Sequence, residues 1–193
     1  MRIVTFIAVV LILTTLTACT DTVAPRVNTP AQVLEFLEES FNRGGISILD
    51  GVLSADFVFY FDQNDVGDVI DDFIIPVSWD REAHLEACGN MFGQAHSIDF
   101  EVVTDGLENP DEGTNTYEAY NVFIDLTVMV DATNGYRARG VCDFELTYNE
   151  SVSNNDVGWE ITNWYDKTLQ PCTESLPSNI MEVSLGLILA TFY

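Results

Sequence analysis

Two long alternating runs, residues 115–132 ("NTYEAYNVFIDLTVMVDA") and 136–149 ("YRARGVCDFELTYN"), meet across Thr133-Asn134-Gly135. Period-two alternation rich in β-branched and aromatic residues makes both of them strands. Strands this long, joined this tightly, commit the chain to an antiparallel hairpin at the centre of a sheet. A two-residue Asn-Gly turn sets Leu126 opposite Asp143 and Ile124 opposite Glu145, which mixes the two faces. A three-residue loop with Gly135 left-handed instead aligns Val122, Ile124, Leu126 and Val128 with Leu146, Phe144, Cys142 and Gly140. A single buried face specifies register, so the three-residue loop is expected. On the other face this register pairs Asp131 with Arg137 but opposes Asp125 to Asp143, with Glu145 two residues along. Like charges so placed cost up to ~1 kcal/mol. They are expected either to be solvated or to share a cation or a basic partner.

The remaining elements flank this hairpin. "TPAQVLEFLEESFNRGG" (29–45) opens with Thr29 as N-cap, Pro30 at the first helical position and Gln32 completing a capping box. Val33, Leu34, Leu37 and Phe41 recur at helical spacing, and Gly44-Gly45 ends the helix. A shorter helix is expected over 46–53, and "DFVFYFD" from Asp56 reads as a strand. "SWDREAHLEACGNMFGQA" (78–95) predicts a third helix with Leu85, Cys88, Met91, Phe92 and Ala95 inward, which leaves His84 exposed and makes Cys88 a buried thiol. Further strands are expected over 97–104 and 157–167. The apolar C-terminal segment, 180–193, is too short to span a bilayer and is expected to pack on the domain as a short helix.

Residues 1–18 combine one early arginine, a long apolar run and small residues, the pattern of a secretory signal. Leu16-Thr17-Ala18-Cys19 resembles the lipobox of bacterial lipoproteins, which implies cleavage before Cys19 and its acylation. Thr20 in the next position implies the outer membrane, if the organism has one. Residues 19–28 then form a lipidated tether to a single domain. With 31 acidic residues against seven basic, and Lys167 the sole lysine, the chain lacks the basic footprint that nucleic acid requires. Cys88, Cys142 and Cys172 allow three disulfide pairings. No Cys/His spacing supports zinc, and no cofactor is expected.

The order helix, helix, strand, helix, long sheet resembles the nuclear transport factor 2-like, or cystatin-like, superfamily, which includes SnoaL-like and ketosteroid isomerase-like proteins. "FLEESFNRGGISILDGVLSADFVFYF" and the closing "GWEITNWYD" (158–166) carry the likeness. It implies an α+β fold over 29–168, with helices packed in the concave face of a curved antiparallel sheet, and 169–193 as an extension. It also implies a pocket, for which the candidates are Phe57, Phe59, Trp79, Phe92, Tyr120, Phe144, Tyr148, Trp159 and Ile161. Such a pocket suits a small apolar ligand and a non-catalytic binding or accessory role in the cell envelope, with homodimerisation through the outer sheet face. The alternative is a proton-transfer isomerase, cyclase or dehydratase, with Asp62 as base and Tyr60 or Tyr148 as partner. A further alternative is a calcium-dependent module. In "YFDQNDVGDVIDDF" (60–73) an EF-hand beginning at Asp62 places Val66 at position 5 and Phe73 at position 12, which excludes it. An irregular site using Asp62, Asp65 and Asp68 remains.

Overall fold

The computed structural model describes residues 29–150, 158–168 and 179–193. Helix α1 (Pro30–Arg43) begins as its sequence dictates. The Thr29 hydroxyl accepts the Gln32 amide at 3.2 Å, and Gly44 closes the helix in the left-handed region at φ 60°. Val33, Leu34, Leu37 and Phe41 are fully buried along one stripe. Helix α2 (Ile46–Val52) runs directly into strand β1 (Leu53–Tyr60), which therefore starts three residues before Asp56.

The acidic stretch after β1 is more than a connection. It folds a hairpin of β2 (Val69–Ile70) and β3 (Phe73–Ile74), turned by left-handed Asp71 and Asp72. Ser78–Asp80, expected as helix, is instead a short strand, β4, antiparallel to β1. The reason is local: the Asp80 carboxylate accepts the Ala83 amide at 3.0 Å, so α3 (Arg81–Gln94) opens after it. The buried arc of α3 is His84, Ala87, Cys88 and Met91, rotated from the expected stripe. Leu85, Phe92 and Ala95 are only partly buried, and His84 is fully buried rather than exposed.

Strands β5 (Ser97–Val102), β6 (Thr116–Met129), β7 (Gly135–Asn149), β8 (Gly158–Lys167) and β9 (Ile180–Glu182) complete a seven-stranded sheet in the order β4-β1-β8-β7-β6-β5. The sheet is mixed rather than purely antiparallel, because β1 lies parallel to β8 and β9 parallel to β7. β8 pairs with β7 from Val141 onward, and β9 occupies the same edge of β7 over Gly135–Arg137. Helix α4 (Leu185–Thr191) follows β9. Helix α1 packs on β5 and β8, α3 on β1, and α4 on β7 and α3.

The hairpin register differs from the expected one. Val122, Ile124, Leu126 and Val128 face Cys142, Gly140, Ala138 and Tyr136, a slide of four residues. The last pair is Met129 with Gly135, and Gly135 is not left-handed. The wider loop is built by Asp131, whose Oδ1 accepts the amides of Thr133 and Asn134, each at 2.7 Å. Asp131 therefore caps the loop instead of meeting Arg137. An even slide keeps every side chain on its face, so the buried set survives while the charge pairing changes. Asp125 now receives Arg137 Nε at 2.8 Å and Nη2 at 2.5 Å, with Arg139 Nε at 3.4 Å. Asp143 pairs with Lys167 and accepts the Asn121 amide at 2.9 Å. The opposition of Asp125 and Asp143 is thereby removed, and neither acid lacks a counter-charge.

Edge strand β5 is held to α1 by side chains. Asn42 donates to the Phe100 carbonyl at 2.8 Å and accepts its amide at 2.7 Å, and Glu38 accepts the Val102 amide at 2.9 Å.

Candidate functional site: the aromatic interior and the helix that closes it

Strands alternate, so β1 sends Phe57 and Phe59 inward, followed by Phe61 beyond the strand's end. They meet Trp79 of β4, His84 of α3, Phe144 of β7 and Trp164 of β8, all buried. The rings lie against one another: Phe59 to Phe61 at 5.1 Å, Phe61 to Trp79 at 4.7 Å, Phe59 to Trp164 at 5.5 Å, and Phe144 to Trp164 at 5.1 Å between centroids. Such edge and tilted contacts are the favoured aromatic geometries. His84 stacks on Phe59 at 5.2 Å and approaches Phe57 at 5.0 Å. Its Nε2 lies 3.6 Å from the Cys88 sulfur, and its Nδ1 is buried with no hydrogen-bond partner among the described residues. Burial lowers its pKa to about 3, so the ring is neutral. Burial raises both described thiols, Cys88 and Cys142, which are free rather than bonded to each other. Cys172 lies outside the described residues.

Of the expected wall residues, Phe57, Phe59, Trp79, Phe144, Trp159 and Ile161 are buried, and Phe92 and Tyr148 half-buried. Tyr120 is not part of the interior: it is 62% exposed, with its hydroxyl on Glu118. Trp159 and Tyr148 pack together at 5.5 Å at the far end of the sheet. They border a surface cavity of about 340 Å³ that also touches Thr29, Asn115 and Glu150. A second surface cavity, about 410 Å³, lies between α1 and the outer face near Asp99, Glu101 and Arg137.

The two candidate phenols fall in separate places. Tyr60 stacks on Tyr165 at 4.6 Å with an interplanar angle of 10°, while Tyr148 pairs with Trp159, six residues away along β8. That is roughly 20 Å of strand. Asp62 holds its own turn, accepting the Asn64 amide and side chain at 2.8 Å each. Among the described residues no three His, Cys, Asp or Glu side chains converge as a metal would require, and Asp65 is turned inward, 5% exposed, toward Ser184.

The acids that matter structurally are Asp65 and a residue sequence reasoning passed over, Asp166. Both fasten α4. Asp166 Oδ1 accepts the Thr168 hydroxyl at 2.6 Å and amide at 2.9 Å, and Oδ2 accepts the Gly186 amide at 2.7 Å. Thr168 Oγ1 in turn accepts the Leu185 amide at 2.7 Å. Ser184, the α4 N-cap, donates to Asp65 Oδ2 at 2.5 Å and accepts the Leu187 amide at 3.0 Å. Glycine is required at 186, where a Cβ would lie 2.6 Å from the Phe61 ring. At the other end Asn90 donates to the Phe192 carbonyl at 3.0 Å, and Tyr193 packs on Trp79 at 4.9 Å. Leu185, Ile188, Leu189 and Ala190 are thereby buried. Desolvation pushes Asp166 up to about 6 and raises Asp65 as well.

No protein-family model matches the chain, and no curated protein matches its sequence. Solved structures do match. A nuclear transport factor 2-like superfamily protein from Salmonella enterica aligns over 77% of this chain and 92% of its own, at 10% identity and a TM-score of 0.51. A conserved protein from Planctomyces limnophilus aligns over 69% and 88%, at 12% identity and 0.50. A protein from Novosphingobium aromaticivorans, named as a proposed aromatic ring hydroxylase, aligns over 75% and 90%, at 16% identity and 0.52. The fold is nuclear transport factor 2-like: one α+β domain with helices against a curved mixed sheet. Similarity at these identities concerns the fold and not the chemistry.

Proposed function

We propose that this chain is a lipid-anchored domain of a bacterial cell envelope, a non-catalytic module that takes up a small apolar molecule in the interior closed by α4. The observation that carries the reading is the composition of that interior. It is walled by Phe57, Phe59, Phe61, Phe144 and Trp164, its imidazole is neutral, and its carboxylate, Asp166, has its described hydrogen bonds committed to α4 and Thr168. Apolar walls with few polar groups recognise apolar ligands, whereas proton transfer needs a base within reach of substrate. With α4 seated the rings fill the space against one another, so a ligand enters by displacing that helix.

The enzyme reading is favoured by one observation, the buried Asp166 raised to about 6, a shift typical of catalytic acids. Its neighbours make it a fastening instead. For the binding reading, the chain from Thr20 onward is titrated with the neutral fluorophore N-phenyl-1-naphthylamine. Saturable uptake near one molecule per chain, accompanied by faster exchange of α4 amides, is expected. Absence of saturable uptake from pH 5 to pH 8 would reject it. The anchor rests on Leu16-Thr17-Ala18-Cys19. In a bacterial host the full chain should incorporate labelled palmitate and sediment with membranes, and Cys19→Ser should abolish both. Unchanged labelling in Cys19→Ser removes the lipoprotein reading.

A further inference from the structure

We propose that α4 is a pH-responsive closure: seating it buries Asp166 and Asp65 with no counter-charge among the described residues, which favours the seated helix in acid, where these acids are neutral, and disfavours it toward neutrality, while the rest of the domain stays folded. The geometry sets α4 apart from the sheet it covers. Only seven residues long, it carries no charged side chain, and its first turn is tied down chiefly by two carboxylates. These reach it from different parts of the chain, Asp166 from β8 and Asp65 from the acidic loop after β1.

Among the described residues, the charged and titratable groups around this junction come from the acidic loop, β7, α3 and β9. Asp62 and Asp68 neighbour Asp65 in the loop and disfavour its ionisation, and Asp65 does the same to Asp166. On β7, Cys142 is a buried neutral thiol beside Asp166, and Asp143 is paired with Lys167. On α3, His84 is neutral, and Glu182 of β9 is exposed. None of the ion pairs among described residues supplies Asp65 or Asp166 with a cation. The acids are thus held by hydrogen bonds alone, against burial and mutual repulsion.

The direction follows from linkage. With α4 seated, Asp166 sits at about 6; with α4 lifted, its carboxylate is hydrated and returns toward 3.8. The seated state binds the proton more tightly, so it is favoured below about 4 and loses that advantage as pH rises through 6. Between pH 5 and pH 7.5 the ratio of seated to lifted α4 falls about tenfold. Asp65 is shifted in the same direction and adds to the effect. The inference does not depend on what the interior binds.

The test is hydrogen exchange on the chain from Thr20 onward. Protection factors for amides of Leu185–Thr191, corrected for intrinsic rates, should fall about tenfold from pH 5 to pH 7.5, with β6 and β7 unchanged. Asp166→Asn should flatten that dependence. Ser184→Ala, which frees Asp65 but leaves Asp166 in place, should lower α4 protection at every pH while keeping the part of the slope that Asp166 sets. The proposal is overturned if α4 protection is flat across this range, or if it always equals that of β6 and β7. It also fails if Asp166→Asn keeps the full slope or Ser184→Ala leaves protection unchanged.

Discussion

Replacing Trp164 with alanine is expected to cost the domain about 3–5 kcal/mol, a large part of the roughly 5–15 kcal/mol that holds a typical domain together. Trp164 is fully buried on β8 and contacts rings from four other elements. These are Phe41 of α1 at 6.4 Å, Phe59 of β1 at 5.5 Å, His84 of α3 at 5.6 Å and Phe144 of β7 at 5.1 Å. Truncation leaves a void where those elements converge, and none can close it without abandoning its partners. Urea unfolding should show a lower midpoint with little change in slope. A loss below ~1.5 kcal/mol would mean that the interior collapses readily and that Trp164 is not its keystone.

The second large effect is hidden in the native protein. Buried His84 has a pKa of about 3 when folded and 6.5 when unfolded, so stability falls as pH drops from 6.5 toward 3. Buried Asp166 has a pKa of about 6 when folded and 3.8 when unfolded, so stability rises as pH drops from 6 toward 3.8. Each slope is about 1.4 kcal/mol per pH unit, and the two oppose each other over the same window. Asp65, raised as well, acts on the side of Asp166, and global stability should stay nearly level between pH 6 and pH 4. Asp166→Asn should reveal the histidine slope, a loss of roughly 3 kcal/mol on acidification across that interval. His84→Leu should reveal a gain of the opposite sign. Asp131, held well below the usual carboxylate range by its loop hydrogen bonds, acts only at lower pH. Urea unfolding at pH 4, 5 and 6 checks this, and parallel curves for the native chain and Asp166→Asn would refute it. The closure of α4 escapes the cancellation because lifting α4 hydrates Asp166 and leaves His84 in the core.

Much of the fold was readable because the relevant signals are local. Thr29, Pro30 and Gly44 delimit α1 through cap chemistry, and period-two alternation assigns the faces of β6 and β7. Register was not readable from that alternation, since an even slide preserves it. Long-range pairing of Asp125 with Arg137 and Arg139, together with the Asp131 loop, decides it. His84 was misplaced because α3 meets α2, β1, β4 and α4, so its buried arc is wider than one stripe predicts. Asp166 was within reach. The alternation in "NWYDK" puts it on the inward face with Trp164, and Ser184 stands before "LGLILAT" as an N-cap should. What no local pattern announces is that Asp65 and Ser184, 119 residues apart, meet.

The contacts of Asn42 and Glu38 with β5 carry a consequence for how this molecule tolerates company. An open sheet margin invites strand-by-strand addition of another copy. Here the outward amides of Phe100 and Val102, and the Phe100 carbonyl, are already occupied by side chains of α1. At the opposite margin β4 is only three residues long. Addition of a strand along β5 is therefore blocked at Phe100 and Val102, and β4 offers only a short template at the other end of the strand order.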